Sequence, residues 1–76
     1  MELIMQRQTK LLDVVALLTD FTERGLVQGQ VGTVVEQLDD DVFEIEFCDD
    51  EAKTYAECAL KASQLMVLYY HPQEVA

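Results

Sequence analysis

The sequence predicts an all-β fold, a small five-stranded barrel with one short helical turn before the last strand. Three observations predict it. Residues 42–47, VFEIEF, alternate strictly between apolar and acidic side chains, the period-two pattern of a strand with one face buried. Short apolar runs recur along the chain, separated by the turn-forming stretches DDD at 39–41 and DDEA at 49–52. The chain has 76 residues, 50% of them hydrophobic. That is too apolar for intrinsic disorder, yet so short that one sheet must curl over its own apolar face.

Each element follows in turn. Residues 1–10 form a polar N-terminal arm, or at most a short helical turn. LLDVVALL, 11–18, is brief and carries the β-branched pair Val14–Val15, which favours a strand over a helix. TDFTERGLVQG, 19–29, reads as a long polar connection marked by two glycines. QVGTVVEQL, 30–38, is a strand whose internal Gly32 marks a bulge, a bend or a close approach of another backbone. The strand 42–47 follows, then KTYAECAL at 53–60. KASQL, 61–65, supplies the helical turn, and LMVLYY, 65–70, the last strand, ended by Pro72. The barrel thus spans 11–70, and 71–76 are a C-terminal tail. Five short strands, a long first connection and a helical turn before the last strand make the barrel SH3-like.

Fifteen acids face five bases, a formal net charge of −10. Such a field repels phosphate backbones and anionic lipid heads, which disfavours nucleic acid and membranes and favours a basic protein partner. The competing reading is that the charge only keeps a small protein soluble. The N-terminus lacks the basic and long apolar regions of a secretory signal, and no run approaches the ~18 apolar residues of a membrane span. A cytoplasmic protein is expected.

Parity assigns the faces. Closing DDD with Leu38 opposite Val42 pairs Val35 with Ile45 and Thr33 with Phe47, all inward. Closing DDEA with Cys48 opposite Lys53 pairs Phe43 with Cys58, Ile45 with Ala56 and Phe47 with Thr54. The outer face then sets Glu36 opposite Glu44 and Glu44 opposite Glu57, with Glu46 a step along and opposite Tyr55. Directly opposed carboxylates cost about 0.2–1 kcal/mol per pair, less where salt screens them. Either a docking stripe for Lys or Arg accounts for that cost, or a solvated face tolerates it. Glu36, Glu44, Glu46, Glu57 and Tyr55 are the candidate partner-binding residues.

Other chemistries find little support. The two acidic turns lie at opposite ends of one strand, about 20 Å apart, and neither has the spacing of a calcium loop. Aspartate is also an ordinary turn residue. Cys48 and Cys58 fall too far apart along the sheet for a disulfide, and acidic surroundings raise rather than lower a thiol pKa. His71, the only histidine, has no nucleophile placed near it. No cofactor motif, phosphate loop or paired-acid site is present, so no enzyme is expected. Tyr69 and Tyr70 point to opposite sides, where they either close the barrel or offer one ring to a partner. Asp20, Glu23 and Arg24 occupy the long connection, but Phe21 is its only aromatic, too few walls for a proline-rich peptide.

Asp13-Val14-Val15, the G-x-V-G-T-V-V of residues 29–35 and F-E-I-E-F with its acidic turn resemble a family of small bacterial proteins, domain of unknown function 4926. The resemblance covers residues 11–68. It implies an SH3-like barrel and brings no activity with it. Similar G-x-x-G-x-V openings occur in nucleic-acid modules and in small subunits of photosynthetic electron-transfer complexes. The leading expectation is therefore a non-catalytic module that docks a basic protein, of antitoxin or immunity type. The alternative is a small structural or accessory subunit of a larger enzyme or electron-transfer complex.

Overall fold

The structure, a computed structural model, describes residues 9–69. Residues 1–8 of the expected arm at 1–10, Tyr70 and the tail at 71–76 lie outside the described residues. Five strands form one antiparallel sheet: β1 Val14–Leu17, β2 Val31–Asp39, β3 Val42–Cys48, β4 Thr54–Lys61 and β5 Leu65–Val67. Their order across the sheet is β4-β3-β2-β1-β5. The expected helical turn before the last strand is a 3-10 turn, Ala62–Gln64, fixed by Gln64 Oε1 accepting from the Lys61 amide at 2.9 Å. The sheet does not close into a barrel, since β4 and β5 are its two edges.

One face nevertheless buries a continuous core. Val15, Leu17, Val34, Phe43, Ile45, Phe47, Cys58, Leu60 and Leu65 all point into it. An open sheet can bury that many side chains on one face only if it bends, and β2 shows how. Against β3 it carries two irregularities, one at Val35 and one at Leu38, and each leaves one residue without an opposite number. Bulges bend the strand that holds them and increase its twist. Because β2 is the middle strand, the bend falls at the centre of the sheet.

The bulges also correct the expected pairing. Ile45 faces Val34 rather than Val35, and Thr33 faces Glu46 rather than Phe47. An odd slip reverses the faces of a strand. Gly32 and Val34 therefore point into the core, while Val35 is 37% exposed. Gly32 is there because nothing larger fits. A Cβ at that position would lie 2.7 Å from Ile45 Cγ2 and 2.9 Å from the Glu46 carbonyl oxygen. Close approach is the reason for this glycine among those its position in a strand allows.

β1 begins later than expected. Leu11 and Leu12 are not strand but the tip of a tight turn, closed by the Asp13 amide donating to the Lys10 carbonyl at 3.1 Å. Asp13 Oδ2 accepts from the Lys10 amide at 2.9 Å. Leu12 takes φ 70°, a left-handed conformation that a bulky side chain rarely adopts. β5 is also shorter than expected, and Tyr69 lies beyond it, 42% exposed.

The long connection between β1 and β2 is folded, not a plain polar loop. Phe21 and Leu26 form a bridge around a 3-10 turn, Thr22–Arg24, and Gly25 follows with φ 71°. Leu26 is fully buried and Phe21 packs beside it on the core. Arg24 Nη1 donates to the Glu57 carbonyl of β4 at 3.4 Å, so the connection reaches across to the far edge of the sheet.

Candidate functional site

β3 and β4 set the outer face. They pair from Val42–Lys61 to Phe47–Ala56 without interruption, two residues out of step with the expected register. An even slip leaves each side chain on its expected face but changes its neighbour. Glu57 therefore stands opposite Glu46, not Glu44, and Glu44 faces Ala59. The expected pairing of Glu36 with Glu44 is present. The outer face thus holds two opposed carboxylate pairs, Glu36–Glu44 on β2 and β3 and Glu46–Glu57 on β3 and β4. Glu36 and Glu57 are exposed, and Glu44 and Glu46 are half-buried. Among the described residues no lysine or arginine forms an ion pair with any of the four. Glu46 has a neutral partner, since Thr54 Oγ1 donates to its Oε2 at 2.8 Å.

Tyr55 is placed differently. It is the residue left over where the β3–β4 register slips between Phe47 and Cys48, so it does not stand opposite Glu46. Its ring lies against buried Phe47, with centroids 6.4 Å apart, and its hydroxyl accepts from Gln30 Nε2 at 2.9 Å. It is still 49% exposed. Val35, Leu38 and Tyr55, the three residues left over at the irregularities, are all large and all more than a third exposed. The bends that shape the core put them at the surface.

The same outer face changes character across β2. Val31, Ala16 and Met66 stand in one row across β2, β1 and β5, and Thr33 and Val14 stand in the next. Thr33 is also the neighbour of Glu46, so this second row runs Glu57, Glu46, Thr33, Val14. Val31 is 44% and Met66 48% exposed. One half of the face is acidic and the other apolar. Reasoning from sequence missed the apolar half because it turned Thr33 inward. The signal that could have found it is Gly32, whose missing side chain marks the crowded side of β2.

The aspartate turns are explained by their own hydrogen bonds. Asp49 Oδ1 accepts from the amides of Glu51 at 2.8 Å and Lys53 at 3.0 Å, and Asp39 Oδ1 from that of Asp40 at 2.8 Å. No group of three or more metal-ligating side chains gathers among the described residues. A shallow, open hollow of about 450 Å³ lies against Cys48, Asp49, Asp50, Glu51 and Tyr55. Both cysteines are free, Cys48 exposed and Cys58 buried. Burial pushes the Cys58 thiol up, Arg24 opposes the rise and Glu44 adds to it. Cys58 faces Ile45 rather than Phe43. His71 lies outside the described residues. No helix among the described residues is long and apolar enough to cross a membrane.

The family model described as domain of unknown function (DUF4926) matches residues 11–67, the whole sheet with its leading turn. The chain belongs to that family. For the family, the structure of this member gives an all-β fold with a bulged central strand and an outer face divided between charge and apolar surface. No curated protein and no solved structure matches the chain.

Proposed function

We propose that this DUF4926 chain is a non-catalytic binding module of SH3-like character, acting in the bacterial cytoplasm, that docks a basic protein through Glu36, Glu44, Glu46 and Glu57. One observation carries the reading: two pairs of opposed carboxylates on three adjacent strands, none of them in an ion pair with a lysine or arginine among the described residues. Each opposed pair costs stability in the free protein and becomes favourable when Lys or Arg comes between its members. The overall charge of −10 adds long-range steering toward such a partner. An antitoxin- or immunity-type role fits the size and charge. Tyr55 flanks the acidic strands as an exposed ring that a partner can also touch.

The test is capture of a basic protein from the native cell by the intact chain and by the variant carrying Glu36→Lys, Glu44→Lys and Glu57→Lys. The variant is expected to fold and to lose its partner. Capture at undiminished affinity would remove the docking role.

A second reading has its own observation. Val31 on β2, Met66 on β5 and Tyr69 just beyond it leave apolar surface exposed, as expected of an accessory subunit within a larger enzyme or electron-transfer assembly. Native extract would then show the chain only in a large complex on size exclusion.

A further inference from the structure

We infer that the element docked on this face is an amphipathic helix of a partner protein, with one apolar stripe bordered on one side by a row of lysine or arginine. The inference rests on the docking role proposed above and specifies the shape and chemistry of what docks. Its ground is the divided outer face. Val31, Ala16 and Met66 form a row across β2, β1 and β5, and Val14 extends the patch along β1. The carboxylates begin at once beyond the patch: Glu36 lies farther along β2 itself, and Glu46 on β3 stands directly beside Thr33.

Dimensions favour a helix. Three strands at about 4.8 Å spacing give an apolar strip roughly 10 Å wide, the diameter of one helix. The four residues of β1 run for about 13 Å, which matches two to three helical turns. A helix laid along β1 puts its apolar stripe on Val14, Ala16, Val31 and Met66. A cationic row on one flank then reaches over β3, where Glu44 and Glu46 wait. An added strand would bring neither feature, because it would pair at the edge of β4 or β5 and leave the outer face bare. A lipid surface is disfavoured by the same carboxylates, which repel anionic head groups.

Charge complementarity chooses the partner's sign, and the apolar strip requires that its charge be one-sided. A uniformly basic segment would leave Val31 and Met66 wet. A uniformly apolar one would bury Glu46 without a cation, which is costly. A helix with both features satisfies each half of the face.

The probe is a synthetic helix of about 18 residues, five turns, with leucine at every third or fourth position and lysine along one flank. Two controls accompany it: a scrambled peptide of the same composition, and the same pattern with glutamate for lysine. Binding to the full chain is measured by fluorescence anisotropy in about 0.15 M salt, and mapped by amide shifts in NMR spectra. The patterned basic peptide is expected to bind at least about tenfold more tightly than either control. Its shifts should fall on both Val14, Ala16, Val31 and Met66 and on Glu44, Glu46 and Glu57. The paired substitution Val31→Thr and Met66→Gln, which keeps strand-compatible side chains, should cost about tenfold in affinity with the melting curve unchanged. If the scrambled basic peptide binds equally well and the Val31→Thr, Met66→Gln variant matches the parent, the helix inference falls while the acidic docking role stands. If no basic peptide binds and the triple lysine variant still captures its partner, both fall. Light scattering showing a dimer that the peptide cannot dissociate would give the face to a second copy and overturn the inference. Contacts from Leu3 or Ile4 to Val31 and Met66 in the free chain would overturn it equally, giving the face to the chain's own beginning.

Discussion

β3 has a neighbour on each side and meets them in different ways. Toward β4 it runs in step from Val42–Lys61 to Phe47–Ala56 and slips once, at the end, around Tyr55. Toward β2 the register drifts twice in the same direction, leaving Val35 and then Leu38 unopposed. The regular pairing keeps the faces of β4 simple, with Cys58 and Leu60 in and Glu57 out. The drifting pairing bends β2 at the centre of the sheet, so that an open sheet covers its core. A small domain therefore places its irregularity in the strand that must curve and keeps the strand beside it regular.

The strongest way to break that contrast is at Gly32. Alanine there would press on Ile45, on Phe47 and on the Glu46 backbone, and overpacking against a backbone that cannot yield costs about 3 kcal/mol. In a domain of this size that is most or all of its stability, so the variant is expected to be unfolded or barely folded by circular dichroism. A fully folded Gly32→Ala variant would mean that β3 does not press against β2 at Gly32 as closely as the structure places it.

The register itself is tested by neighbours. Val34→Ala should cost about 2 kcal/mol in urea denaturation, because Val34 is wholly buried. Val35→Ala should cost under about 0.5 kcal/mol, the value for an exposed site. In the simple register without bulges the two results would change places.

These two substitutions also mark how far the sequence could be read. The period-two alternation of Phe43, Ile45 and Phe47 identified β3 and its faces without ambiguity, and the parity of β4 followed from it. The slip between those strands left Cys58 on the core face, but it changed the neighbours of Phe43, Glu44, Ile45, Glu46 and Glu57. Thr54, expected inward opposite Phe47, is exposed and stands opposite Cys48. Bulges are different, because nothing in VGTVVEQLD announces that Val35 will be passed over. Both Val34 and Val35 are apolar and β-branched, and only the packing against Ile45 chooses between them. Leu26 was equally hidden, an apolar residue inside a segment whose glycines and charges read as loop. The four glutamates were legible as an outer set because three alternate with apolar residues on β3 and β4. Their apolar counterpart across β2 was not, since its visibility depends on the register that the bulge reverses.

On the regular side of β3, the cysteines give a clearer and smaller signal. Alkylation with iodoacetamide near pH 8 should modify exposed Cys48 and spare buried Cys58 until the chain unfolds. Burial holds the Cys58 thiol above its ordinary value near 9.0, so the folded state keeps its proton longer than the unfolded chain does. The stability linked to that proton is present below the unfolded value and declines as pH rises through the higher folded one. Melting curves between pH 8 and pH 10.5, roughly the span of thiol ionisation, should show that decline, and Cys58→Ala should lack it. Equal alkylation of both thiols in the folded protein would contradict the burial of β4's inner face.

The smallest expected effect concerns the carboxylate pairs. A double-mutant cycle with Glu46→Gln and Glu57→Gln should return a repulsion of about 0.2–1 kcal/mol at low salt, fading as salt is added. The same cycle on Glu44 and Glu57 should give less, since Ala59 stands opposite Glu44. Equal couplings would argue for the register that the sequence alone suggested.

An open sheet also has borders, and here the outer border of β4 runs for eight residues. Among the described residues no strand lies beyond β4, and a border without a neighbouring strand invites another molecule to add one, the first step toward fibrous aggregates. At neutral pH ten excess negative charges keep copies apart by mutual repulsion. Near pH 4.1, where the composition brings the net charge to zero, that safeguard disappears, and concentrated protein is expected to pass from clear solution to precipitate.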